Sequence, residues 1–174
     1  MAASNELPDL ETWAKSRIAA LYETTEEDRF DSAFESCFSS DAQIIMNHEP
    51  VSRENAKSDL LTKRFAAQQA TVNWDNVMSA SKEGDDKASH VTVRVIWKIG
   101  IVAGFCTITR TMRLRIRAAP AQRTTQCTFS VKIDRDASGS AGSEDNRRIV
   151  QLWQTAVDKA APIHFAKPHP PVTG

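Results

Sequence analysis

Four polar side chains in this sequence are of the types that do chemistry: Asn76 and Arg110, which patterning aims at an apolar interior, and Tyr22 and Asp31, which lie beside apolar helix positions. Asp31 lies in a run whose apolar residues Phe30, Ala33, Phe34, Cys37 and Phe38 recur at i, i+3, i+4, the spacing of one helix face. A carboxylate there, with a phenol on the preceding helix, would supply a base and an oxyanion donor. The same Asp31 also suits a solvated first turn, where the helix dipole favours negative charge. Tyr22 equally suits a core position with its hydroxyl bonded. Asn76 and Arg110 fall on the apolar sides of two alternating strands. Asn76 serves a ligand there or bonds backbone at a strand irregularity. An inward Arg110 needs a partner or an anionic ligand, and a slip of one residue in register would put it outside.

The other chemistry-bearing residues form no site. His48 falls in a turn beside Glu49-Pro50, His90 opens a strand, and His164 and His169 lie near the C-terminus. No pair has metal-ligand spacing, so no metal site is expected. There is no Gly-rich phosphate loop and no Gly-x-Ser-x-Gly elbow, and no cofactor is expected. Cys37, Cys106 and Cys127 are odd in number and far apart, which reads as reduced core thiols. Arg113, Arg115 and Arg117 form an outward basic ladder, with Arg94, Lys98, Arg123 and Lys132 as candidate neighbours. A solvated face or a dimer contact explains it better than nucleic acid, because no aromatic residue interleaves with it.

These residues need elements to position them. Leu10, Trp13, Ala14, Ile18 and Leu21 predict a helix over 9–23. Thr24 and Glu27 have capping-box spacing and predict the start of a second helix, ended by Ser39-Ser40-Asp41. A short strand over 42–47 and a turn at 48–50 follow, then Ser52 as N-cap of a helix over 53–69. Period-2 alternation predicts strands over 71–81, 91–99, 104–118 and 123–134, with Trp74, Asn76, Met78, Trp97, Arg110 and Phe129 on the inner face. The Ser/Gly/Ala-rich stretch 137–143 reads as a loop. Residues 147–156 fit helix or strand, and a strand returning to the sheet is the expected outcome.

The 174 residues suit one domain. Lysine plus arginine equals aspartate plus glutamate, 22 against 22, so no global charge drives binding to nucleic acid or an acidic membrane. No basic, apolar leader opens the sequence and no apolar run is long enough to span a bilayer. A cytoplasmic protein without a membrane segment is the expectation.

The order helix, helix, short strand, helix, long strands resembles the nuclear transport factor 2-like superfamily. Phe30–Leu61 looks like its second helix, first strand, turn and third helix, and Arg147–Gln154 resembles the closing strand of its polyketide cyclase- and dehydratase-like branches. The likeness spans residues 9–156, with 1–8 as an extension and 157–174 as a Pro-rich tail. It implies an α+β cone, in which N-terminal helices pack in the concave face of a strongly curved antiparallel or mixed sheet. It also implies a cavity between them, lined by Trp74, Asn76, Trp97, Arg110 and Phe129 from the strands and Trp13 and Phe34 from the helices. Ketosteroid isomerase, a member of that superfamily, works with an aspartate base, a tyrosine and a protonated aspartic acid. Here the long strands offer no inward acid or histidine. Three functions follow as alternatives: a pocket for a hydrophobic small molecule, a lyase or isomerase on a polyketide-, terpene- or steroid-like substrate, or a protein-interaction module. An enzyme predicts an inward Asp31 or Arg110 with a perturbed pKa. A binding protein predicts an unbroken apolar pocket, and an interaction module predicts a filled cone. The resemblance further implies a homodimer through the sheet.

Overall fold

A computed structural model describes residues 7–24, 26–84, 97–116, 119–136 and 145–160. Three helices, α1 (Leu10–Glu23), α2 (Glu27–Cys37) and α3 (Arg53–Phe65), accompany six strands. The strands are β1 (Phe38–Met46), β2 (Glu49–Val51), β3 (Ala67–Gly84), β4 (Trp97–Ile116), β5 (Ala119–Arg135) and β6 (Arg147–Ala160). They form one sheet in the order β2-β1-β6-β5-β4-β3. Only the β1–β6 pairing is parallel. The sheet is open and mixed, with α1 on β3 and β4, α2 on β1 and β6, and α3 on β1 and β3. This is the expected α+β cone.

Local chemistry explains the helix ends. Asp9 caps α1, accepting from the Thr12 amide at 2.9 Å, and Ser52 caps α3, accepting from Asn55 at 3.1 Å. Thr24 does not begin α2 as the capping-box spacing predicts. Its hydroxyl turns back to the Ala20 carbonyl and closes α1. Glu26 precedes α2 without a side-chain cap. Nor do Ser39-Ser40-Asp41 form a terminator: Phe38 already has extended geometry (φ −108°, ψ 141°), so α2 runs straight into β1. Phe34 and Phe38 stay stacked across that junction, with ring centres 4.9 Å apart. Both rings are buried, and each removes a large apolar area from water.

The strands depart from expectation in three places. Helix α3 stops at Phe65 and β3 begins at Ala67, inside the range predicted as helix. The predicted strands 91–99 and 104–118 are one strand as far as they are described, since β4 passes unbroken through Gly100 and Gly104; residues 91–96 lie outside the described residues. Finally, β6 is a strand, as expected, but runs on to Ala160, past the predicted boundary at 156.

A bulge decides the inner face of β3. Asn76 has φ 45°, in the left-handed region, and pairing shifts between Asp75 and Met78. Trp74 therefore lies opposite Cys106, but Met78 lies opposite Ala103. Strict alternation places Asn76 and Met78 inward; the extra residue turns Met78 out to 69% exposure and leaves Asn76 exposed. Val77 joins the core in their place. Gly104 makes the bulge fit, because a Cβ there would come 2.9 Å from the Val77 Cα.

Candidate functional site

The inner row of the sheet runs Val102, Cys106, Ile108 and Arg110 on β4, opposite Val131, Cys127, Thr125 and Arg123 on β5. Apart from the exposed Arg123, these side chains are buried beneath the helices. Among the described residues, cavities of about 20 and 30 Å³ lie there, both bordered by Leu21, Tyr22, Met46, Leu60 and Gln154. Each holds little more than a water, which needs about 10–15 Å³ measured in this way. Small-molecule pockets run to about 300–1,000 Å³. The cone is nearly filled.

Arg110 is the polar centre of the smaller cavity. It is 6% exposed, so the register places it inward. Its Nη2 donates to Thr125 Oγ1 at 2.7 Å and to Asp158 Oδ1 at 2.9 Å, and the Thr125 hydroxyl also donates to Asp158. Burial pushes the Asp158 carboxyl up, but the Thr125 hydroxyl and the Arg110 charge outweigh it and hold the pKa below the ordinary value. Arg110 Nε is buried without a hydrogen-bond partner. The Tyr22 hydroxyl accepts from Gln154 Nε2 at a long 3.4 Å, and burial raises its pKa, so the phenol keeps its proton at neutral pH.

The remaining sequence candidates scatter. Asp31 is exposed and pairs with Lys57 at 3.1 Å, so it is a solvated carboxylate and does not meet Tyr22; α2 begins at Glu27, so Glu27 and Asp28, not Asp31, occupy the first turn. Trp74 packs edge-on against Phe129, with ring centres 5.6 Å apart, and Phe129 borders the larger cavity. Phe34 and Trp13 are wholly core. Phe34 carries the Arg53 and Lys57 cations over its ring, and Trp13 carries those of Arg17 and Arg147. The Trp97 side chain lies outside the described residues, as do His90, His164 and His169 and the side chains of Arg94, Lys98, Arg115 and Arg117. His48 is exposed in the turn, at φ 67°. Among the described residues no three His, Cys, Asp or Glu side chains gather as metal ligands. No described helix is long and apolar enough to cross a membrane.

The outer face of the sheet is the larger feature. One row crosses five strands as Met78, Ala103, Ser130, Trp153 and Ile45. Ile101 and Phe105 flank it on β4 and Val157 on β6; with Met78 and Trp153, each is about half exposed or more. A groove of about 580 Å³ runs between Phe105 and Val157 over Thr107, Gln126, Thr128 and Thr155. The sequence showed this face only as alternating Thr and apolar residues. Its exposed Met78 could not be foreseen without the bulge.

Comparison with solved structures gives the fold a name. AclR of Streptomyces galilaeus superposes with a TM-score of 0.50 over 84% of this chain and 90% of its own, at 12% identity. The fold is nuclear transport factor 2-like. IdmH of Streptomyces antibioticus (TM-score 0.48, 15% identity, 82% and 91% covered) and an NTF-2-like protein of unknown function from Pseudomonas aeruginosa (0.40, 14%, 84% and 94%) are also similar. At such identities the likeness speaks to the fold alone. No protein-family model and no curated sequence matches the chain.

Proposed function

We propose that this nuclear transport factor 2-like domain is an association module whose outer sheet face docks a second copy of the chain. One observation carries the reading: a continuous sheet face exposes large apolar side chains across its strands, while the described cone behind it holds only cavities of about 20 and 30 Å³. Exposed apolar area on this scale marks contact surfaces. The charges on the face suit a self-complementary contact: Asp75 lies toward the β3 side and Lys132 and Lys159 toward β5 and β6. A two-fold axis across the face would bring the acid of one copy to the amines of the other. Sedimentation of the full chain over a range of concentrations tests this. The wild type should be a dimer and Trp153→Lys a monomer that keeps its fold, because Trp153 lies outside the core. A wild type that stays monomeric throughout sinks the reading.

A second reading has one observation in its favour. The partnerless Nε belongs to Arg110, which borders a cavity whose walls are mostly apolar. A buried donor without an acceptor is costly, and the acceptor oxygen of a hydrophobic carboxylate, phenol or ketone would satisfy it if the helices shifted to make room. Polyketides and steroids of that kind should then raise Tm; a ligand at 100 times its Kd adds about 2.7 kcal/mol. The gain should vanish in Arg110→Met. A blank across such a set leaves association as the sole reading. For a lyase or isomerase, the described inner face offers only Asp158 as a carboxylate, and that group is engaged by Arg110 and Thr125.

A further inference from the structure

The row behind the larger cavity runs Trp74, Cys106, Cys127 and Ala156 across β3, β4, β5 and β6. Cys106 and Cys127 are directly opposed on neighbouring antiparallel strands, and their Sγ atoms lie 3.0 Å apart. That is about 1 Å more than a disulfide bond of about 2.05 Å. Residues opposed in this way have Cα atoms about 4.5 or 5.5 Å apart, and both spacings lie within the disulfide window of about 4.4–6.8 Å. The pair thus meets the Cα condition for a disulfide, and the sulfurs need to close by about 1 Å.

We propose that Cys106 and Cys127 are a two-electron thiol pair that a small hydroperoxide oxidises to a disulfide, tying β4 to β5 behind Tyr22. The two thiols differ in role. Either sulfur can donate across the 3.0 Å contact; with the Cys106 thiol as donor, the hydrogen bond outweighs burial and makes Cys127 the more acidic of the two. Cys106, as donor and in a buried setting, is pushed up. The Cys127 thiolate is therefore the nucleophile and Cys106 the resolving thiol. Both are 4% exposed, so glutathione-sized reagents are excluded. Cys106 borders the cavity of about 30 Å³, which admits a molecule the size of hydrogen peroxide, and the Cys127 sulfur lies 3.0 Å beyond the Cys106 sulfur.

The chemistry balances. Cys127 sheds its proton, the thiolate attacks one peroxide oxygen, the O–O bond breaks, and the departing hydroxide takes up the shed proton and leaves as water. Cys127 is then a sulfenic acid. The Cys106 sulfur attacks the Cys127 sulfur, the S–O bond breaks, and the second hydroxide takes the Cys106 proton. Two thiols lose two electrons and two protons, and one peroxide becomes two waters. Cys37 is an internal control: it is fully buried among apolar residues, burial pushes its thiol up to about 12, and Cys106 and Cys127 bond each other rather than it.

The test is intact and peptide mass spectrometry on the reduced full chain after stoichiometric hydrogen peroxide and alkylation in denaturant. The expected result is a loss of two hydrogens, one alkylated thiol (Cys37) and a Cys106–Cys127 linked peptide that a phosphine reductant abolishes. Cys106→Ser should instead gain oxygen at Cys127. Three alkylated thiols even at excess peroxide, a link to Cys37, or links only between chains would each overturn the proposal. The wild-type arm decides the matter even if the variant fails to fold.

Discussion

Arg147 and Asp145 meet as a two-pronged ion pair at the start of β6, with Nε and Nη2 each 2.9 Å from a separate carboxylate oxygen. The third nitrogen of the fork, Nη1, donates to the Pro8 carbonyl at 2.9 Å, and the guanidinium lies 5.5 Å from the centre of the Trp13 ring. Arg147 is 1% exposed, so this one side chain fastens the chain ahead of α1 to the sheet.

Asp145→Ala leaves that buried cation without its carboxylate and should cost about 3–5 kcal/mol. Arg147→Met fills similar space and takes the guanidinium from Asp145, the more exposed partner, and from the Pro8 carbonyl without leaving a buried charge, so its loss should be clearly smaller. Urea unfolding of the two variants checks the order. Equal losses would mean that packing on Trp13, not charge pairing, holds the joint.

Acid should act through the same kind of pair. At Asp145 burial raises the carboxyl pKa but Arg147 outweighs it, and at Asp158 Thr125 and Arg110 do the same. Both groups therefore sit below the ordinary 3.8 in the folded protein. Their stabilisation is complete above that value and is lost as pH falls through the lower folded values. Tm measured from neutral pH downward should hold until about that range and then drop, and Asp145→Asn should flatten part of the fall. An unchanged slope in Asp145→Asn would remove Asp145 from the account.

The β3 bulge gives a backbone prediction. At φ 45° Asn76 tolerates glycine, whereas a β-branched residue is strained there. Asn76→Gly should be near neutral and Asn76→Val should lose about 1–2 kcal/mol. The comparison is read from thermal unfolding. If valine is accepted without loss, the bulge has moved and Met78 with it.

Much of the architecture was legible because period and caps agree with packing: the α2 stripe, Ser52 as a cap, and the inward face of β4 and β5. The failures have physical causes. Thr24 could cap either of two helices, and local spacing cannot say which backbone group its hydroxyl will find. Alternation cannot announce a residue inserted into a strand, so Asn76 and Met78 were read inward. The site was less legible than the fold. Asp158 fell in a stretch read as tail, which hid the partner of Arg110. Cys106 and Cys127 looked unrelated because their meeting depends on the register of β4 against β5.

The parallel seam between β1 and β6 has a consequence in time as well as space. It joins Phe38–Met46 to Arg147–Ala160, strands separated by most of the domain. Contacts between such distant segments close late and slow folding. During synthesis β1 and β2 therefore wait beside α2 until β6, the last of the described strands, emerges. Over that interval both the β1 edge and the apolar sheet face are open to other chains. Crowding and chaperone supply should thus govern the yield of this protein more than its final stability does.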